Sequence, residues 1–363
     1  MFGIAVYSLK DYELSGNIAY IKKSAALGYK YLFTSLHIPE VNYRDKIDEL
    51  KQLLAIAKDC GFHVIADVSP LTFELFGATV DYLAPFAEFG IKTLRLDYGF
   101  SIEQTLAVSR SSYDIALELN ASTLSEKRIQ SLLAAGVPAA RLRACHNFYP
   151  KPCSGLTVND YEAKTRMINK HGLACSTFVP SQLGKRGPLY EGVPTIEAHR
   201  NCTAVSAAKY FLYQGSADRI IFGDAYASTA ELTKVAALKP DLVEIVFTAC
   251  KDLGASENAI VARELYTARA DSPEYVIRAS ESRMLGKVSA DVEVGNSDVL
   301  RKIGAVTIDN KEFGRYSGEL NICLEELPPD KRVNVVGYVC ADELTLLRFV
   351  KPGSKFRLVK TKN

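Results

Sequence analysis

The sequence predicts an α/β protein, a (β/α)8 barrel of the TIM type over residues 1–240 followed by a small all-β barrel over residues 241–363. Three observations carry this reading. Short β-rich runs alternate with longer amphipathic runs through the first 240 residues, and the pair recurs eight times. The repeat of about 30 residues is that of a strand, a helix and two short loops. After Pro240 the helical period gives way to short alternating runs. The length of 363 residues also exceeds what one hydrophobic core usually supports.

The eight strands read in order as GIAVYSL, YLFTSLHI, HVIADVS, TLRLDYG, DIALELNA, LRACHNFY, ACSTFVP and RIIFGDAYA. The helices between and after them fall near 18–28, 43–60, 79–89, 101–110, 125–135, 159–171, 195–213 and 229–238. Ser125 precedes EKRIQSLLAAG as an N-cap, with Gly136 just past the helix end. Leu27-Gly28 and Cys60-Gly61 close two other helices in the same way. A doubly wound sheet uses the same units, but the count of eight and the missing dinucleotide fingerprint favour the barrel. In the second part the strand candidates are AIVARELYTARA, EYVIRAS, AVTIDN, GELNICLEEL, VNVVGYVC and TLLRFVKPGSKFRLV.

Composition excludes several classes. A net charge of +2 gives no reason to expect nucleic acid or a membrane surface as partner. The opening MFGIAVYSLKD has no basic segment ahead of an apolar one, and no run approaches a spanning helix. The expected setting is the cytoplasm. The eight cysteines are widely and irregularly spaced, without C-x-x-C, and read as free thiols in a reducing compartment.

In such a barrel the active site lies where the strands end, so each strand end is read for polar groups. Strand four ends in Arg95 and Asp97, which share a face by alternation. Strand five ends in Glu118 and Asn120, which share another. Neighbouring strands about 4.8 Å apart would bring the two carboxyls to roughly 5–6 Å, a double-displacement spacing. Asp224 ends strand eight and closes back toward Tyr7 of strand one. Arg95–Asp97 could equally fill a barrel layer as an ion pair, with Glu118 structural. All four as filler is the less economical reading, because buried charge is costly.

Strand six runs into HNFYPKPCSGL, where His146 and Asn147 end the strand. Phe148 and Tyr149 offer flat faces for a sugar. The stretch after strand seven is about twenty residues long, and loops of that length are usually functional. It carries Lys185 and Arg186 between two glycines, either a phosphate clamp or a solvated basic turn. No metal and no cofactor are expected. The five histidines form no H-x-H or H-E-x-x-H, and no P-loop is present. A divalent site from Asp97, Glu118, His146 and Asp224 keeps a metal-dependent isomerase or lyase open as a rival, and a sugar-phosphate binder is another.

HNFYPKPCSGL, GIAVYSLKD, the RLDYG and ELNAS strand ends and RGPLYEGVPTIEAHR together resemble the 6-phospho-N-acetylmuramidase (MupG-type) family along essentially the whole chain. The resemblance implies a barrel followed by a cyclophilin-like β-domain. It also implies a glycosidase that splits a MurNAc-6-phosphate–GlcNAc disaccharide during cell-wall recycling. On the strand-end geometry Glu118 is then the acid, Asp97 the nucleophile or base, and Asp224 the reserve. Arg95 holds Asp97 ionised, while Asn120, Asn147 and His146 position hydroxyls or the N-acetyl group. Lys185 and Arg186 take the 6-phosphate. The second domain reads as a lid or a homodimer surface, with Arg315 and Tyr316 as candidate contacts.

Overall fold

The computed structural model describes residues 1–9, 11–36, 38, 43–96, 99–271, 273–281 and 292–361. The chain forms two compact units, Met1–Leu238 and Lys239–Asn363.

The first unit is a closed barrel of eight strands in sequence order. They are β1 (Phe2–Ala5), β2 (Tyr31–Ser35), β3 (His63–Val68), β4 (Ile91–Leu96), β5 (Ala116–Asn120), β6 (Leu142–Cys145), β7 (Ala174–Val179) and β8 (Arg219–Phe222). Every pair is parallel, and β8 pairs with β1 to complete the ring. The helices are α1 (Leu14–Ala26), α2 (Tyr43–Asp59), α3 (Pro70–Phe76), α4 (Ala84–Glu88), α5 (Ile102–Arg110), α6 (Glu126–Ala134), α7 (Val158–Lys170), α8 (Ala204–Gln214) and α9 (Thr229–Ala236). The β3–β4 crossover holds two short helices where the sequence predicts one near 79–89. Pro70 starts the first, and Gly77 in the left-handed region ends it.

Caps act where the sequence places them. The Ser125 side chain accepts from Arg128 N–H at the start of α6. Gly136, at φ 94°, turns the chain just past its end.

One consequence of barrel geometry governs the site. Ser35, Asp67, Arg95, Glu118, Arg143 and Ala174 are paired in a single row across β2 to β7. The row starts at the last residue of β2 and ends at the first of β7. Strands in a closed barrel are tilted and staggered, so a row along the hydrogen bonds descends from mouth to floor. Asp67 and Arg95 stand one residue short of their strand ends, whereas Glu118 is the middle residue of β5.

The second unit is a seven-stranded mixed sheet. Its strands are β9 (Val243–Ala249), β10 (Tyr266–Thr267), β11 (Val276–Arg278), β12 (Ala305–Asp309), β13 (Leu320–Cys323), β14 (Val333–Val339) and β15 (Lys355–Lys360). Their order is β10-β15-β9-β14-β12-β13-β11. The sheet curls until its two ends meet at a bridge between Ala268 and Ala279. Arg269 N–H donates to Arg278 O and Ser280 N–H to Thr267 O there, both at 2.9 Å. Ile245, Phe247, Ile308, Leu320, Ile322 and Phe356 are fully buried in its core.

Two segments depart from the expected strands. The run at 259–270 begins inside a helix, α10 (Ala255–Val261), because Glu257 accepts from Gly254 N–H and caps the turn, and Ile260 and Val261 are buried. The run at 345–359 begins in 3-10 turns over Ala341–Phe349 and becomes a strand only at Lys355. Among the described residues no helix is long and apolar enough to cross a membrane.

Candidate active site

Charged groups stand inside the barrel in two tiers. At the upper tier Arg95 Nη1 donates to Asp67 Oδ1 at 2.7 Å, and Nη2 donates to Asn147 Oδ1 at 2.5 Å. Ser35 Oγ reaches Asp67 Oδ2 at 3.4 Å. Asn147 is half-buried and is held in turn by Ser122 and Thr195. Asp67 was not singled out in the sequence. Its signal was there, since the HVIADVS strand ends on the same penultimate-polar pattern as TLRLDYG.

Glu118 occupies the lower tier. Its Oε1 accepts from Ser176 Oγ at 2.9 Å and Arg219 Nη1 at 3.2 Å. Arg219 in turn lies over the Tyr31 ring, 4.6 Å from its centroid. Burial raises the Glu118 pKa, against the pull of Arg219 and Ser176. With 0 % exposure this carboxyl is enclosed beneath the rim. A general acid must come within about 3 Å of the oxygen it protonates. Glu118, expected as that acid, stands in an internal ion pair with Arg219 beneath the strand ends. Asp97, its expected partner, lies outside the described residues.

Asp224 has a structural task. Its Oδ2 accepts from Ser181 N–H at 2.8 Å and Val193 N–H at 3.4 Å, and Oδ1 accepts from Arg186 N–H at 2.7 Å. All three donors belong to the segment after β7. The carboxyl is fully buried and burial raises its pKa. The carboxyl expected as the reserve catalytic group thus organises this loop through three backbone N–H groups.

The loop is built around close approaches. Gly184 lies against Tyr226, where a Cβ would come 2.4 Å from the Tyr226 carbonyl oxygen. Gly187 N–H donates to Tyr12 Oη at 2.8 Å. These fixings aim Arg186 inward. Its guanidinium is 4.7 Å from the Tyr7 ring centroid and 5.2 Å from that of Phe148. Arg186 is 7 % exposed and has no carboxylate partner among the described residues. A buried cation without a counter-charge points to an anion that arrives with the ligand. Lys185, beside it, is half-buried. Tyr7 contributes its ring face, because its hydroxyl donates to Gly223 O at 2.7 Å and is fully buried.

The exit of β6 divides by side. His146, expected to position the substrate, points into the helix layer. Its Nε2 meets Thr165 of α7 at 2.9 Å, Nδ1 lies 3.4 Å from Ser122 Oγ, and the ring sits 4.8 Å from Tyr161. Burial drops its pKa to about 3, so it stays neutral in the helix layer. Phe148 instead packs with Phe33, Phe178 and Tyr7 into an aromatic cluster. Tyr149 is half-buried at the same exit. Asn120 caps its own turn through Ser122 N–H and lines a cavity of about 180 Å³ with Phe100 and Arg128, between the loops after β4 and β5.

Sequence reasoning also missed the staple that joins the loops after β6 and β7. Arg200 is bonded to Glu197 at 2.6 Å and donates to the carbonyls of Gly192, Tyr149 and Lys151. Glu197 accepts from Cys153 and Gly155 N–H. The Arg200 bond holds the Glu197 carboxyl down at about 2. Among the described residues no group of three or more His, Cys, Asp or Glu could hold a metal ion.

The rim thus offers a carboxylate fixed by an arginine, a half-buried amide, an aromatic cluster and an unpaired cation. Residues 2–237 match the family described as 6-phospho-N-acetylmuramidase, N-terminal, and residues 243–359 its C-terminal counterpart. An uncharacterized B. cereus protein is similar at 32% identity with a TM-score of 0.85, covering 99% of both chains. A conserved Enterococcus faecalis protein of unknown function is similar at 33% identity and TM-score 0.78, covering 99% of this chain and 96% of the other. No curated protein matches.

Proposed function

The chain belongs to the 6-phospho-N-acetylmuramidase family, a family of glycoside hydrolases, and on that premise we propose that it cleaves the MurNAc-6-phosphate–GlcNAc disaccharide into MurNAc 6-phosphate and GlcNAc at the rim of its barrel. The observation that carries the proposal is the unpaired, stacked Arg186 facing the same mouth as the Asp67–Arg95–Asn147 chain. Arg186 takes the 6-phosphate, assisted by Lys185. Phe148 and Tyr149 offer apolar surface to the sugar, and Asn147 orients a hydroxyl or the N-acetyl group.

Asp67 is the described carboxylate at the rim. Its charge-assisted bond from Arg95 suits a group that must be ionised, as nucleophile toward the anomeric carbon or as base toward water. The proton for the departing oxygen comes from a second carboxyl, and the sequence offers Asp97, directly after β4. Glu118 and Arg219 sit below and complete the charge balance of the interior. The reaction is expected in the cytoplasm, and cell fractionation checks that.

The test is turnover of phosphorylated against unphosphorylated MurNAc–GlcNAc. Cleavage of the phosphorylated sugar alone, abolished in Asp67→Asn, supports the reading. Equal cleavage of both overturns the phosphate assignment, and full activity of Asp67→Asn overturns the catalytic one.

A further inference from the structure

The second unit has a cavity, edged by buried polar side chains, that the hydrolysis does not use. Residues alternate along β12: Val306 and Ile308 face one side and are fully buried, while Ala305, Thr307 and Asp309 face the other. Thr307 pairs with Asn321, Asn321 with Arg278, and Asp309 N–H donates to Glu319 O at 3.0 Å. Polar side chains from three neighbouring strands therefore share the sheet face opposite Val306 and Ile308. On an open sheet face they would be solvated. Here Thr307, Asp309, Glu319 and Asn321 are all more than nine-tenths buried around a cavity of about 270 Å³. That volume lies just below the roughly 300–1,000 Å³ of small-molecule sites.

We propose that this cavity, lined by Arg278, Asp309, Glu319, Asn321, Phe313 and Tyr316, binds an uncharged sugar of monosaccharide size. Two groups ask for a ligand. Asn321 Oδ1 is buried without a hydrogen-bond partner among the described residues. The Asp309 carboxyl has no hydrogen bond among the described residues, and burial pushes it up to about 7, with Glu319 adding repulsion and Arg278 and Arg301 opposing. Buried polar groups left this way are costly unless something satisfies them.

The charged neighbours are already engaged. Arg278 Nε donates to Glu319 Oε1 at 2.6 Å, Arg332 binds Asp330 at 2.7 Å, and Arg301 donates to Pro328 O at 2.9 Å. The lining therefore selects neither a phosphate nor an ammonium. A hydroxyl donates and accepts, so a polyol satisfies the buried carboxyl in either protonation state, and the amide, at no cost in net charge. The Phe313 and Tyr316 rings, edge to face at 5.8 Å, supply an apolar wall for the C–H face of such a ring.

The experiment is titration calorimetry of the full chain at pH 7 with N-acetylglucosamine and glucose, and with glucosamine and glucose 6-phosphate as charged counterparts. Saturable binding of a neutral sugar is expected, weakened at least tenfold in Asn321→Leu and in Phe313→Ala and unchanged in Asn147→Ala. Phe313 is half-buried on a 3-10 segment, so its variant keeps the test decisive should Asn321→Leu fail to fold. Three results overturn the proposal: no saturable binding of either neutral sugar, tenfold preference for a charged counterpart, or binding lost in Asn147→Ala but kept in Phe313→Ala. The last places the sugar in the barrel, whose hydrolysis is scored separately by turnover.

Discussion

Arg95 holds Asp67 from the neighbouring strand at 2.7 Å, and both stand one residue short of the strand end. The pair is almost wholly buried, so Arg95→Met leaves an uncompensated carboxylate. Breaking such a pair costs about 3–5 kcal/mol. Denaturant unfolding should show that loss. Arg95→Lys should fold better than Arg95→Met yet hydrolyse at least about 100-fold more slowly, since an ammonium cannot bond Asp67 and Asn147 in one planar fork. Wild-type turnover in Arg95→Lys counts against the fork.

Arg186 behaves oppositely. It is a buried cation with aromatic neighbours and no acid partner among the described residues. Arg186→Gln should raise KM for the phosphorylated disaccharide about 10–100-fold while keeping or raising the melting temperature, because an unpaired charge leaves the interior. A clear loss of stability with unchanged KM would make it a packing residue.

Glu118 gives a pH signature. Burial raises its folded-state pKa above the ordinary 4.5. As pH rises past that value the unfolded chain releases its proton first, and folding stability falls until the folded pKa is passed. Glu118→Gln removes this part of the slope. Urea midpoints at pH 4.5 and 7 should therefore shift in the variant's favour with rising pH. Parallel pH profiles for the two proteins would count against the burial effect.

Asp224→Asn tests the loop organiser. An amide has one acceptor oxygen where the carboxylate serves three backbone N–H groups. A stability loss of about 2–4 kcal/mol is expected from hydrogen bonds to a charged group. Limited proteolysis should show new cleavage within 181–193, and none appearing would relieve Asp224 of this role.

The eight strands and the change of texture near residue 240 were legible because period-2 and period-3.6 patterns follow from local geometry. Arg95, Asn147 and Arg186 were also legible, as polar residues at strand ends or in a long loop. The depth of Glu118 was not, because depth depends on the stagger between strands rather than on the sequence of one. Asp67 sat in a strand of the same pattern, but its worth shows only when Arg95 is placed beside it. His146 shows the converse limit. Its strand ends at Cys145, and the next residue faces α7 rather than the mouth.

The joining of the second sheet's ends at Ala268 and Ala279 has a colloidal consequence. β10 and β11 would otherwise be terminal strands with bare amides and carbonyls, which invite a strand from another molecule. Across the bridge Arg269 and Arg278, and Ser280 and Thr267, occupy each other's backbone groups and offer no such template. At this seam a further copy of the chain meets side chains rather than bare strand ends, and solubility there can be tuned one substitution at a time.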